Sequence, residues 1–159
     1  MHTPTANLSD RSAHYAALLA GEYDLVANAA NLAALIFDGL PDLNWVGLYR
    51  FDGAELLLGP FQGKPACTRI PLGQGVCGTA ASQGQTPMVA DVHDFPGHIA
   101  CDSASRSEIV VPLMHADGHL LGVWDVDSPL RTRFDEADRV GMEALCAALV
   151  EATNGGHGV

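Results

Sequence analysis

Residues 108–127 read EIVVPLMHA, then Asp117-Gly118, then HLLGVWDVD, and this stretch decides the fold. Two apolar runs flank an Asp-Gly pair, which is a hairpin signal because both central positions of a type I′ turn need φ > 0. Upstream, LNWVGLYRF and AELLLGPF flank Asp52-Gly53 in the same way. Two hairpins require antiparallel pairing. Working outward, CTRIPL and PMVAD read as further short strands, with a Gly-rich bend and a short helix near Val76 to Ser82 between them.

The flanks read as helices. Leu25, Ala29, Leu32 and Ile36 recur at helical spacing, which predicts an amphipathic helix over 22–38, with a shorter one before it near Ser9 to Leu19. At the other end, FDEADRVGMEALCAALVEA offers Asp135 as an N-cap and Met142, Leu145, Cys146 and Leu149 as one apolar stripe. The order predicts an α+β chain with one layer of central antiparallel sheet and its terminal helices on one face. The stretch from about 92 to 108 has no clear period, and so long a connection in a compact domain is usually functional or mobile. The expected limits are a flexible 1–8, a domain over 9–152 and a flexible tail over 153–159.

A chain of 159 residues suits one domain, which can bury roughly 70% of the unfolded surface. Its net charge of −11, from 19 acidic against 8 basic residues, argues against nucleic acid or an anionic membrane as partner. It suits a cationic or zwitterionic small molecule, or simply solubility. No apolar run approaches the ~20 residues of a membrane span, and MHTPTANLSD lacks the features of a secretory leader, so the expected compartment is the cytoplasm.

Cys67, Cys77, Cys101 and Cys146 should therefore be thiols at rest. Their intervals of 10, 24 and 45 residues fit no common zinc spacing. A set of His93, His98, Cys101 and Cys67 is the alternative metal reading, so no resident metal or bound cofactor is expected. Cys146 lies on the apolar stripe and reads as a packing residue. Cys77, in GQGVCGTAA, starts a helix whose dipole would lower its pKa, or it fills space against the sheet. Cys67 ends the loop FQGKPA and is uninformative alone. Cys101 sits in PGHIACDSASRSEIVVP (96–112), where few large apolar residues explain it by packing. Gly97, Ser103, Ala104, Ser105 and Ser107 there permit close approach of a ligand, which favours a reactive thiol.

Together, CTRIPLGQGVCG (67–78), ADVHDFPGHIACD (90–102), SASRSEIVVPL (103–113) and DVDSP (125–129) resemble the free methionine-(R)-sulfoxide reductases, enzymes built on a single GAF domain with an active-site loop region across the sheet from the helices. The resemblance implies that Cys101 is the nucleophile, Cys67 the resolving cysteine and Cys77 an auxiliary resolver or pocket thiol. It implies that Glu108, Asp125 and Asp127 are acidic pocket residues and that Trp45 and Tyr49 line the pocket. Trp124 departs from the expected aliphatic residue. By strand alternation it points with Val126, away from Asp125 and Asp127.

The implied chemistry is reduction of free methionine sulfoxide, with a sulfenic acid on Cys101 and then a disulfide with Cys67. A thioredoxin-like dithiol, supplied through NADPH, would reopen that bond. Clustered carboxyls should raise at least one pKa, which leaves a neutral acid to protonate the sulfoxide oxygen, while residual charge attracts a free α-ammonium. The same charge opposes thiolate formation at Cys101, so loop N–H groups, a carboxylate, the substrate's charge or Arg106 must assist. Homodimerisation is compatible with these expectations. The competing reading is a non-catalytic GAF small-ligand or redox sensor.

Overall fold

The computed structural model describes residues 8–98 and 104–155. The expected site residue Cys101 lies outside the described residues, as do 1–7 and 156–159 of the expected flexible ends. Helices α1 (Leu8–Leu19) and α2 (Leu25–Gly39) lead into strands β1 (Trp45–Phe51), β2 (Glu55–Gly63) and β3 (Arg69–Pro71). Helix α3 (Gly75–Gln83), strand β4 (Met88–Val89) and a 3-10 turn (Val92–Asp94) follow. Strands β5 (Ser107–Met114) and β6 (Leu120–Ser128) and helix α4 (Glu136–Gly155) complete the order. Helix α4 continues to Gly155, past the domain limit expected at 152.

The six strands form one sheet in the order β3-β2-β1-β6-β5-β4, and every neighbouring pair is antiparallel. After β3 at one edge the chain must cross to β4 at the other. It does so over one face of the sheet, and α3 lies in that crossing. Helices α1, α2 and α4 cover the opposite face. Alternation sends Val46, Leu48, Ile109, Val111, Leu113, Trp124 and Val126 into that helix-covered core, together with Leu32, Ile36, Met142, Leu145, Cys146 and Leu149. Burial of each large aliphatic side chain there contributes about 1.5–3 kcal/mol. Trp124 is fully buried beside Val126, as the alternation predicts.

The predicted cap is in place, with Asp135 accepting from the Asp138 N–H at 2.9 Å, and Asp24 caps α2 by accepting from the Ala27 N–H at 2.8 Å, which starts that helix later than the expected 22. Both hairpins form, but not with type I′ turns. Among the described residues only Asp42 and Thr132 are non-glycines with positive φ, so neither Asp52 nor Asp117 takes the left-handed region. Instead the aspartate side chains cap the loops. Asp52 accepts from the Ala54 and Glu55 N–H groups, both at 2.9 Å, and Asp117 accepts from that of His119 at 2.9 Å. The following glycines alone supply the positive φ, Gly53 at 101° and Gly118 at 87°. An aspartate that can bond its own backbone favours these longer loops over the two-residue turn.

Candidate active site

The face opposite the helices is polar at its centre, and register explains why. Trp45 pairs with Asp127, and Asp127 pairs with Glu108, so these three side chains form one row across β1, β6 and β5. The next row is Gly47, Asp125 and Val110. Tyr49 stands one row further along β1, opposite Val123. Helix α3 closes the space above, placing Val76, Cys77 and Ala80 against Tyr49, Val110 and Val123.

The pocket so formed is lined by Trp45, Tyr49, Cys77, Glu108, Asp125 and Asp127. Six of the eight expected site residues therefore converge. Asp125 is 5% exposed, and Glu108 and Asp127 are 8% exposed. The Cys77 thiol faces Glu108 Oε2 at 3.8 Å. Donor atoms of Cys77, Glu108 and Asp125 lie within 4.8 Å of one another, close enough to share a metal ion or protons. Of the alternative metal set, His93 and His98 have ring centroids 6.1 Å apart and the His93 ring is 3.1 Å from Asp91, while Cys101 lies outside the described residues.

Electrostatics favour protons in the cluster. Burial, then the charges of Asp127 and Glu108, push the Asp125 carboxyl well above the ordinary range. Burial, then Glu108, does the same to Asp127. The Cys77 thiol is pushed up by burial and by Asp125, Glu108 and Asp127. This reverses the lowering that its place in the first turn of α3 suggested. A helix dipole contributes about 0.3–1 kcal/mol, whereas burial of a thiolate among carboxyls costs several times that.

The aromatic residues do more than line the pocket. Trp45 stacks on Phe61 with centroids 5.1 Å apart and on Tyr49 at 5.7 Å. Gly47 makes room for this. A Cβ there would lie 2.8 Å from Trp45 Cη2 and would collide with Phe61. The polar tips then hold the loop before β3. Trp45 Nε1 donates to the Lys64 carbonyl at 3.1 Å, and Tyr49 Oη to the Cys67 carbonyl at 2.8 Å. Cys67 itself is half-buried and disulfide-bonded, not the resting thiol that was expected, whereas Cys77 and Cys146 are free.

Several contributors carry no periodic signal in the sequence. Ser105 Oγ donates to Asp127 Oδ2 at 3.2 Å and accepts from Asn44 Nδ2 at 3.0 Å. Gln74 and His98 also line the pocket. Gly97 seats His98 there, because its φ of 75° turns the chain and its carbonyl accepts from the Gly75 N–H at 3.1 Å. Arg106, considered as a helper for the thiol, is directed instead to Asp91, with Nη2 3.5 Å from the carboxylate. Among the described residues no lysine or arginine lines the pocket.

Residues 16–152 match the GAF domain family. The chain is 48% identical over 141 residues to the free methionine-R-sulfoxide reductase of Escherichia coli, covering 89% of this chain and 85% of that protein. It is 46% identical over 138 residues to the enzyme of the same name in Saccharomyces cerevisiae, covering 82% and 77%. The crystal structure of free methionine-R-sulfoxide reductase from Neisseria meningitidis in complex with its substrate superposes with a TM-score of 0.91 at 42% identity, covering 99% of this chain and 94% of that one.

Proposed function

This chain belongs to the free methionine-(R)-sulfoxide reductases, a family of GAF-domain proteins, and we propose how its residues carry the reaction. It reduces free methionine-(R)-sulfoxide to methionine. The observation that carries the residue assignment is the convergence of Glu108, Asp125 and Asp127 beneath α3, beside the stacked Trp45 and Tyr49.

In this reading the S-methyl group rests against the faces of Trp45 and Tyr49. The raised pKa values of Asp125 and Asp127 keep a proton available for the sulfoxide oxygen. Negative charge left on the cluster attracts the α-ammonium, which a methionine inside a peptide lacks. Buried carboxyl oxygens, Oδ1 of Asp125 and of Asp127, have no hydrogen-bond partner among the described residues and can receive it. Ser105 and Asn44 orient Asp127 from behind.

Cys101 attacks the sulfoxide sulfur, the oxygen passes to its thiol as a sulfenic acid, and methionine leaves. The thiol of Cys67 then attacks that sulfur, releasing water and leaving a Cys67–Cys101 disulfide. In support, Cys67 is oxidised while Cys77 and Cys146 are free, and Tyr49 ties the Cys67 backbone to the pocket floor. Cys77, its proton held by burial, acts as a pocket thiol facing Glu108 and as an auxiliary resolver after that proton is lost. A thioredoxin-like dithiol, kept reduced by NADPH, reopens the disulfide by exchange. Such a cycle needs a reducing compartment, so the reading places the protein in the cytoplasm. Among the described residues, no helix is long and apolar enough to cross a membrane.

A thioredoxin-coupled assay of NADPH oxidation tests this. Cys101→Ser should abolish methionine formation, and Cys67→Ser should stop after roughly one equivalent per site. Full activity of Cys101→Ser overturns the assignment of the nucleophile. Equal rates on free and peptide-bound sulfoxide overturn the role given to the carboxyl cluster.

A further inference from the structure

A second acidic centre lies outside the pocket and is unused by the mechanism. Asp91 follows β4, and its side chain is 16% exposed. Its Oδ1 accepts from the His93 N–H at 3.2 Å, capping the 3-10 turn, and stands 3.1 Å from His93 Nδ1. Its Oδ2 stands 3.1 Å from Arg131 Nε and 3.5 Å from Arg106 Nη2. The His93 N–H bond, the His93 ring and Arg106 together lower the Asp91 carboxyl to about 2, so it is charged throughout the working range.

What these partners have in common is their position along the chain. His93 lies at the start of the span between Asp91 and Arg106, and Arg106 ends it, two residues before Glu108. Arg131 belongs to the connection that leaves β6 just after Asp127. Backbone bonds follow the same pattern. The Val92 N–H donates to the Arg106 carbonyl at 2.6 Å, that of Arg106 to Ser128 at 2.8 Å, and that of Thr132 to Ala90 at 2.9 Å. Both ends of the 14-residue span 92–105, which carries Cys101, are thereby fastened beside the strands that bear Glu108 and Asp127.

We propose that Asp91 is a positioning residue for the reductase reaction, an anionic clamp that joins the two ends of the Cys101 segment to each other and to the root of β6. The proposal rests on the assignment of Cys101 as nucleophile. Fastening both ends of a span reduces the volume its middle can sample, which raises the effective concentration of the thiol at the pocket. Asp91 touches neither the substrate nor the reacting atoms. Its effect should therefore fall mainly on the rate of the first chemical step, because the carboxyls and aromatic residues of the pocket stand on β1, β5 and β6, and of the described part of the span only His98 and Ser105 line it.

The test is a single-turnover measurement of methionine formation without external reductant, using Asp91→Asn and Asp91→Ala in the full chain. The asparagine keeps an acceptor for the His93 N–H but loses the charge that holds Arg106 and Arg131. The expected first-step rate constant falls about 10-fold in Asp91→Asn and about 100-fold in Asp91→Ala, while substrate affinity stays within about 3-fold. The burst amplitude, which counts folded sites, should remain near one per chain. Rate constants within about 2-fold of the parent in both variants, with only amplitude or melting temperature reduced, would mean a structural role alone and overturn the clamp. Should Asp91→Ala fail to fold, Asp91→Asn alone decides. A parent protein that forms no methionine refutes the reductase assignment instead. The clamp is then judged by the rate at which hydrogen peroxide drives formation of the Cys67–Cys101 disulfide, with the same ratios expected.

Discussion

The two faces of the central sheet are built from the same strands in alternation, yet they obey opposite rules. On the helix side, Val46, Ile109, Val111, Trp124 and Val126 are buried among apolar neighbours, where burial stabilises the fold. Next to them in sequence, Trp45, Glu108, Asp125 and Asp127 are buried almost as deeply on the other side. There burial raises the cost of charge and leaves protons on the carboxyls. Burial on one face is spent on stability and on the other on reactivity. The free cysteines show the same split. Cys146 packs in the helix core, while Cys77, buried to a similar degree, faces Glu108.

That contrast can be broken most forcefully at Trp124. Trp124→Ala should cost about 3–5 kcal/mol in chemical denaturation while leaving kcat/KM per folded molecule within about 2-fold. Trp124→Phe sharpens the point. The Trp124 Nε1–H is buried without a partner among the described residues, so removal of that donor should offset much of the lost volume and keep the change within about 1 kcal/mol.

Asp125→Asn is the mirror case and should lower kcat/KM by about 100-fold. Its stability should move the other way. A carboxyl whose folded pKa is raised binds its proton more tightly folded than unfolded. The parent is therefore favoured at low pH and loses stability as pH rises above the usual carboxylate value of ~3.9, by up to about 1.4 kcal/mol per unit for each such group. Melting temperatures between pH 4 and 9 should show Asp125→Asn gaining on the parent as pH rises. A gap that does not change with pH would mean that Asp125 is ionised in the folded protein.

Smaller effects should follow at the edges of the two faces. Tyr49→Phe removes the bond to the Cys67 carbonyl and should cost about 1 kcal/mol, slowing disulfide formation more than methionine release. Cys146→Ala, in the helix core, should cost about 1 kcal/mol and leave turnover unchanged. A fall in turnover there would show that the faces are not independent.

How much of this was legible in the sequence follows from what each feature depends on. That Asp125 and Asp127 share a face was legible because alternation along β6 is fixed once the Asp117-Gly118 hairpin is read, whereas their grouping with Glu108 in a pocket was implied by the family resemblance. The helix stripe of Met142, Leu145, Cys146 and Leu149 was legible for the same kind of reason. The turn geometry was not, because the aspartate side chains compete for the turn's own N–H groups. The pKa direction of Cys77 was hidden because it depends on α3 lying over the sheet, a consequence of strand order. Ser105 and His98 reach the pocket from connections that have no period, and Asn44 acts on it through Ser105. The hydrogen bonds from Trp45 and Tyr49 to the Lys64 and Cys67 carbonyls depend on where a loop folds back, which no local pattern specifies.

The split between central strands and the connections at β2–β3 and β4–β5 has a consequence for how such a protein could change over time. The carboxyls are rooted in central strands, where a substitution disturbs two faces at once. Cys67 and the segment assigned to Cys101 belong to connections, and such segments tolerate replacement far better than the elements they join. Catalysis could therefore be gained, lost or retuned by exchanging a few surface segments, while the recognition of a small zwitterion stayed in the frame beneath. A sensor and a reductase would then differ mainly in their loops, and grafting 64–68 and 91–106 would be the shortest route from one to the other.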